Sequence, residues 1–201
     1  MPPSIESLEL PPFKPRFPWW GADLQTVAVL WNAPATGLAP HTSERICFPM
    51  SDGSGDTLLG MLDIPNEPVA RRPLVVLVHG LTGSEDSFYM LNLSRLLLDE
   101  GYHVVRLNLR GAGPSRAFCR EQYFIGRTSD FRQVLRLLPA KLTTNGVAAV
   151  GFSLGGAMLL KFLGEDGPFS PLCAAATVCS RRWCHCPWTT PPRGRTPTRC
   201  C

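Results

Sequence analysis

Between residues 73 and 178, short uninterrupted apolar runs alternate with longer stretches in which apolar positions recur at helical spacing. Pro73-Leu74-Val75-Val76-Leu77-Val78, Tyr102 to Leu109, Val147 to Val150 and Ala174 to Val178 read as strands. Ser87 to Asp99 reads as a helix through Leu91, Leu93, Leu96, Leu97 and Leu98, followed by Ser129 to Leu138 and Gly155 to Leu163. A strand that is apolar at successive positions has no solvent face. These strands therefore predict an α/β fold, a mostly parallel sheet with helices on both faces.

The pattern differs on either side of this stretch. Arg45 to Met50 and Thr57 to Asp63 flank Ser51-Asp52-Gly53-Ser54-Gly55-Asp56, which predicts a β-hairpin with a glycine-rich connection. No helix follows that Gly-X-Gly, so it reads as a turn rather than a phosphate cradle. Residues 1–43 form an N-terminal arm in which Pro11-Pro12-Phe13-Lys14-Pro15-Arg16-Phe17-Pro18-Trp19-Trp20 is too proline-interrupted for a helix or a central strand. It is expected to lie extended across the core; contact of its aromatics with a membrane surface or lipid substrate is the alternative. Residues 44–179 make up the α/β core, and 180–201 a Pro-, Arg- and Cys-rich tail without periodicity or aliphatic residues.

Charge and cysteines follow the same division. The chain of 201 residues carries a net charge of +4. Arg181, Arg182, Arg193, Arg195 and Arg199 face no acid within residues 181–201, so residues 1–180 balance to −1. The body gives no electrostatic reason to bind nucleic acid. Cys47 and Cys119 stand far apart, whereas Cys173, Cys179, Cys184, Cys186, Cys200 and Cys201 crowd the end. Isolated body cysteines suit a reducing compartment, no apolar run reaches the roughly 18 residues of a membrane span, and the start lacks a signal-peptide pattern; a cytoplasmic protein is expected. Zinc ligation by Cys179, Cys184, His185 and Cys186 with Cys200 and Cys201 is a competing reading of the tail, but paired Cys-X-X-Cys arms are absent.

The chemistry is concentrated where Val147-Ala148-Ala149-Val150 runs into Gly151-Phe152-Ser153-Leu154-Gly155-Gly156. Strand, Gly-X-Ser-X-Gly turn and helix in that order describe a nucleophile elbow, whose neighbours must be small so that the serine hydroxyl stands clear of the sheet. Ser153 is the candidate nucleophile. An oxyanion needs two donors: the elbow offers the Leu154 N–H, and the loop Val78-His79-Gly80-Leu81-Thr82-Gly83-Ser84 offers the Leu81 N–H, with Ser84 placed to cap the following helix. His79 precedes the serine on a neighbouring strand end and is expected to shape this loop rather than act as base.

These residues together resemble the YheT-type α/β-hydrolases, also called the α/β-hydrolase domain 4 family. The resemblance covers about Phe13 to Val178. It includes Phe17-Pro18-Trp19-Trp20 with Leu24-Gln25-Thr26, the His79 to Ser84 loop, Leu107-Asn108-Leu109-Arg110-Gly111-Ala112-Gly113, and the elbow with Leu159-Leu160-Lys161-Phe162-Leu163-Gly164-Glu165. It implies a hydrolase of carboxylic esters, small-molecule or lipid, with Ser153 as nucleophile and neither cofactor nor metal.

A triad in this fold runs Ser, then Asp or Glu, then His. Downstream of Ser153 the acids are Glu165 and Asp166 and the histidine is His185. The acids fall at the far end of the helix leaving the elbow, roughly 15 Å away at about 1.5 Å per residue, and His185 lies in the tail. Composition, charge and periodicity all change near residue 179, which is expected to mark a shifted reading frame or truncated core with later strands missing. Translation of the other two forward frames tests this. The function readings left open are a serine ester hydrolase, a non-catalytic fragment with a binding role, and an acyltransferase using the same serine.

Overall fold

The computed structural model of the chain describes residues 41–166, Ser170 and residues 172–178. The arm up to residue 40 and the tail from 179, with the frame-shift, zinc and His185 readings attached to it, lie outside the described residues.

The order of elements is β1 (Thr42–Pro49), β2 (Thr57–Ile64), β3 (Leu74–Val78), α1 (Phe88–Asp99), β4 (Val104–Leu107), a 3₁₀ segment (Gly113–Phe118), α2 (Thr128–Leu137), the single turn α3 (Ala140–Thr143), β5 (Val147–Phe152), α4 (Leu154–Asp166) and β6 (Leu172–Val178). Six strands form one sheet in the order β1-β2-β4-β3-β5-β6. β4, β3, β5 and β6 run parallel, whereas β2 is antiparallel to both β1 and β4. The predicted hairpin is therefore the edge of the main sheet.

The apolar runs behave as their pattern requires. Leu74, Val76 and Val78 of β3 join the cluster containing Phe131 and Val134 of α2 and Met158, Leu159 and Phe162 of α4. Val75 and Leu77 face the other way, into Met90, Leu93 and Leu97 of α1. Every residue of β3 is buried, which puts helices on both faces of the sheet.

Two local readings change. Strand β4 is shorter than its apolar run, spanning Val104–Leu107: Asn108 N–H still donates to Leu59 O of the neighbouring β2 (2.9 Å), but Leu109 N–H leaves the ladder for His79 Nε2 (3.1 Å). The cap position of α1 falls on Ser87 rather than Ser84; the Ser87 hydroxyl instead accepts from Ser84 N–H at 2.9 Å. At the other end Gly101 takes a φ of 79° while its own N–H and that of Tyr102 bond back to Leu98 O and Leu97 O, a Schellman ending that glycine favours.

Candidate active site

Strands β3, β4 and β5 run parallel, so their last residues gather at one end of the sheet: His79 follows β3, Asn108 to Arg110 follow β4, and Ser153 follows β5. Ser153 is exposed and adopts a φ of 50°, a left-handed conformation that costs a non-glycine residue about 1–3 kcal/mol and persists only where the surroundings impose it.

The surroundings are backbone. A Cβ on Gly151 would meet the carbonyl oxygen of Gly155 at 2.5 Å, and a Cβ on Gly155 would meet the oxygens of His79 at 2.5 Å and Val78 at 2.6 Å. The first turn of α4 is thus pressed against the ends of β5 and β3, which leaves no room for side chains around the serine. The elbow residues read from the Gly-X-Ser-X-Gly spacing are all brought together here. As the first residue of α4, Leu154 has an N–H that helix geometry leaves without an intrahelical acceptor.

The loop after β3 lies directly beside the elbow. A Cβ on Gly80 would approach the Ser153 Cβ to 3.3 Å and the Phe152 carbonyl to 3.1 Å. Residues 80–83 form a tight turn closed by Gly83 N–H donating to Gly80 O at 3.1 Å. Gly80 N–H donates to the Tyr89 hydroxyl (3.1 Å) and Thr82 N–H to the Tyr123 hydroxyl (2.8 Å). Three of the four N–H groups in the turn are therefore engaged by protein acceptors. The fourth belongs to Leu81, whose residue is 65% exposed.

His79 is fully buried and both its ring nitrogens are occupied. Nε2 accepts the Leu109 N–H, which requires Nδ1 to carry the proton and donate it to Gly80 O at 2.7 Å. Burial holds its pKa below the usual histidine range. It ties the end of β3 to the end of β4 and faces Tyr123 edge-on at 5.6 Å between ring centroids, the shaping role expected of it. His103 precedes β4, whose first residues pair with the start of β3, and His41 precedes β1, whose first residues pair with the end of β2. Both lie at the opposite end of the strands from Ser153.

Glu165 and Asp166 are engaged elsewhere. Glu165 pairs with Lys161 and accepts from the Thr128 hydroxyl, and Arg132 of α2 pairs with Asp166. Among the described residues, then, the site holds the serine and the donor loop, and no histidine faces the hydroxyl.

Beneath the loops lie polar networks that the sequence did not single out. Arg110, fully buried, donates to Asp130 through Nε and Nη2 (both 2.8 Å), to Asp56 (2.9 Å) and to Asp52 (2.7 Å). Asp52 is held down at about 2, chiefly by the Ser54 hydroxyl and N–H, with Arg110 adding to them. Arg45 makes a bidentate pair with Glu85 (2.6 and 2.8 Å), and Asn108 holds the same residue through both its amide nitrogen and its amide oxygen. Only the bare motif Leu107-Asn108-Leu109-Arg110-Gly111 signalled these residues; their partners are 20 or more positions away.

A largely parallel sheet with an exposed serine at a strand–turn–helix elbow, flanked by a glycine-containing turn after a neighbouring strand, is the framework of an α/β hydrolase. The chain belongs to this family: the model for the alpha/beta hydrolase fold matches residues 73–191. That match continues past Val178, where the resemblance was expected to end. The chain is 38% identical over 109 residues to medium-chain fatty acid ethyl ester synthase/esterase 2 of Saccharomyces cerevisiae, covering 54% of this chain and 24% of that protein. It is 35% identical over 107 residues to putative esterase YheT of Escherichia coli, covering 53% and 32%. The chain thus spans about a quarter to a third of the length of these curated relatives. Among solved structures, the lidless serine hydrolase XC6422 of Xanthomonas campestris shares the fold with a TM-score of 0.54 at 23% identity, covering 72% of this chain and 73% of that one.

Proposed function

We propose that Ser153 is the nucleophile of an ester hydrolase acting on carboxylic acyl esters, with the N–H groups of Leu81 and Leu154 as the oxyanion hole. The carrying observation is the conformation of Ser153: exposed, at φ 50°, between glycines that pack on backbone. The pairing of every other N–H in the 80–83 turn supports Leu81 as the second donor.

In this reading Ser153 Oγ attacks the acyl carbonyl carbon and its proton leaves to a base. Negative charge moves to the carbonyl oxygen, where the two N–H groups receive it. Collapse breaks the bond to the alcohol oxygen, which takes the proton, and water then releases the acid from the acyl-serine. The fold supplies base and orienting acid from loops after later strands. Among the described residues, His41 and His103 lie at the opposite end of the strands and His79 has both ring nitrogens engaged by backbone, so none of the three is the base of this reading. The names of the two curated relatives support an ester substrate, and that of the yeast relative a medium-chain acyl group.

Two further readings have an observation behind them. The yeast relative is named as a synthase as well as an esterase, which favours an alcohol replacing water as acyl acceptor. The absence of a histidine facing Ser153 among the described residues favours a chain that binds acyl esters without turning them over. Labelling by a fluorophosphonate probe separates the cases. Labelling of the wild type and not of Ser153→Ala is expected, and a folded wild type that does not label would support the binding reading. Product analysis with added ethanol distinguishes hydrolysis from transfer. The free thiols of Cys47, Cys119 and Cys173 support a reducing, cytoplasmic setting; among the described residues no helix is long and apolar enough to cross a membrane.

A further inference from the structure

We propose that Tyr123 is a positioning residue for the reaction: its hydroxyl, by accepting the Thr82 N–H, holds the 80–83 turn in the form that presents the Leu81 N–H. The inference rests on the ester-hydrolase reading and adds to it the residue that keeps the oxyanion loop set.

The turn is closed by Gly83 N–H to Gly80 O, with Leu81 and Thr82 as its central residues. Thr82 has a φ of 59°. A tight turn with positive φ at its second central residue favours glycine there, and a β-branched side chain is the wrong residue for that conformation. Left to itself the segment would relax by turning the peptide between Leu81 and Thr82, and the preceding peptide, which carries the Leu81 N–H and shares the Leu81 Cα, would shift as the turn opens.

What opposes relaxation is external to the turn. The Tyr123 hydroxyl lies 2.8 Å from Thr82 N, across 41 residues of sequence. Tyr123 is itself fixed twice: its N–H donates to Arg110 O at 2.9 Å, and its ring stands edge-on to the buried His79. Arg110 is anchored by Asp56 and Asp130. The buried ion cluster, Tyr123 and the turn thus form one connected chain of contacts. Tyr89 secures the opposite side of the turn through Gly80 N–H and packs on Phe152, next to Ser153, with 4.7 Å between ring centroids. A Cβ at Gly83 would fall 2.4 Å from the Tyr89 hydroxyl, so that side of the turn has no slack.

Tyr123→Phe keeps the ring against His79 and removes the acceptor alone. Thr82→Gly removes the conformational penalty that the acceptor offsets. The single variants and the double variant are compared by amide hydrogen exchange at residue 82, by kcat and KM for a p-nitrophenyl acyl ester, by the rate of fluorophosphonate labelling, and by Tm.

Tyr123→Phe is expected to speed exchange at Thr82 at least tenfold and to lower kcat and labelling by about ten- to a hundredfold with KM nearly unchanged, the effect of displacing a donor by less than about 1 Å. In the Thr82→Gly background the same substitution is expected to cost much less. Exchange at Thr82 unchanged by Tyr123→Phe overturns the proposal. So does a kcat loss that follows Tm and is not rescued by glycine at 82. A wild type that neither labels nor turns over refutes the hydrolase reading instead, and amide exchange then decides on its own whether Tyr123 holds the turn.

Discussion

The same substitution at two positions of α4 is predicted to have opposite effects. In Gly155→Ala the new methyl group would sit 2.5 Å from the His79 carbonyl oxygen and 2.6 Å from that of Val78. Both are backbone atoms of the β3 end, so neither can swing aside as a side chain would. Reaching an ordinary separation near 3.5 Å requires the first turn of α4 to retreat from the sheet by close to about 1 Å. Overpacking of this kind costs about 1–3 kcal/mol, offset in part by alanine's better helix propensity, worth at most about 1 kcal/mol. The net expectation is a loss of about 1–2 kcal/mol, or a fall in Tm of about 2–8 °C at this chain length. Gly164 lies in the same helix with nothing within 4 Å of its Cβ position. Gly164→Ala collects the propensity gain without the clash and is expected to add about 0.5–1 kcal/mol. Urea denaturation of both variants, with fluorophosphonate labelling of Ser153, is the assay. Labelling should slow in Gly155→Ala, because Leu154 retreats with the helix, and stay normal in Gly164→Ala. If Gly155→Ala matches Gly164→Ala in stability, the elbow is not pressed against β3 and the reason given for its glycines is wrong.

Two other outcomes are expected. Arg110→Met strands Asp56 and Asp130 as buried charges and should cost about 3–5 kcal/mol in urea denaturation; addition of Asp130→Asn should recover part of it, and a loss below about 1 kcal/mol refutes the structural role given to the cluster. Stability should fall in two steps as pH drops. Because burial lowers the pKa of His79, and of His103 in the same direction, the unfolded chain takes up protons below about 6.5 before the folded chain does, and stability declines from there toward the lowered values. Asp52, held at about 2 by Ser54 and then by Arg110, contributes stability that is complete above its unfolded value of about 3.9 and is lost toward pH 2; Asp56, lowered by the Arg120 N–H, acts in the same sense. Denaturation curves at pH 8, 5 and 3 test both steps, and equal stability at pH 8 and 5 excludes the histidine contribution.

Much of the frame was legible because its signals are local. Leu74 to Val78 is buried on both sides because it is apolar at successive positions, and the apolar stripe from Leu91 to Leu98 marks α1. The elbow was legible for a related reason: strand, small-residue turn and helix are contiguous, so Gly151, Ser153, Gly155 and Gly156 carry their geometry within six residues. The donor loop was partly legible, since Gly80 and Gly83 announce a tight turn.

The residues that hold the site in place gave no such signal. Tyr123, Tyr89 and Arg110 have no periodicity that distinguishes them from ordinary core or surface positions, and the glycine-preferring conformation falls on Thr82. The hairpin was visible as a hairpin, but not its place as the edge of the parallel sheet, because strand neighbours are chosen by pairing across 40 and more residues. The sequence by itself determined which segments are buried strands, which helices cover them and where a serine is thrust out of a turn, since burial pattern and backbone freedom are properties of adjacent residues. Tertiary structure alone decided which contacts hold the β3 loop beside Ser153, that His79 spends both nitrogens on backbone, and that a tyrosine from a distant loop pins Thr82. Those are contacts between strand ends, and only the assembled sheet brings strand ends together.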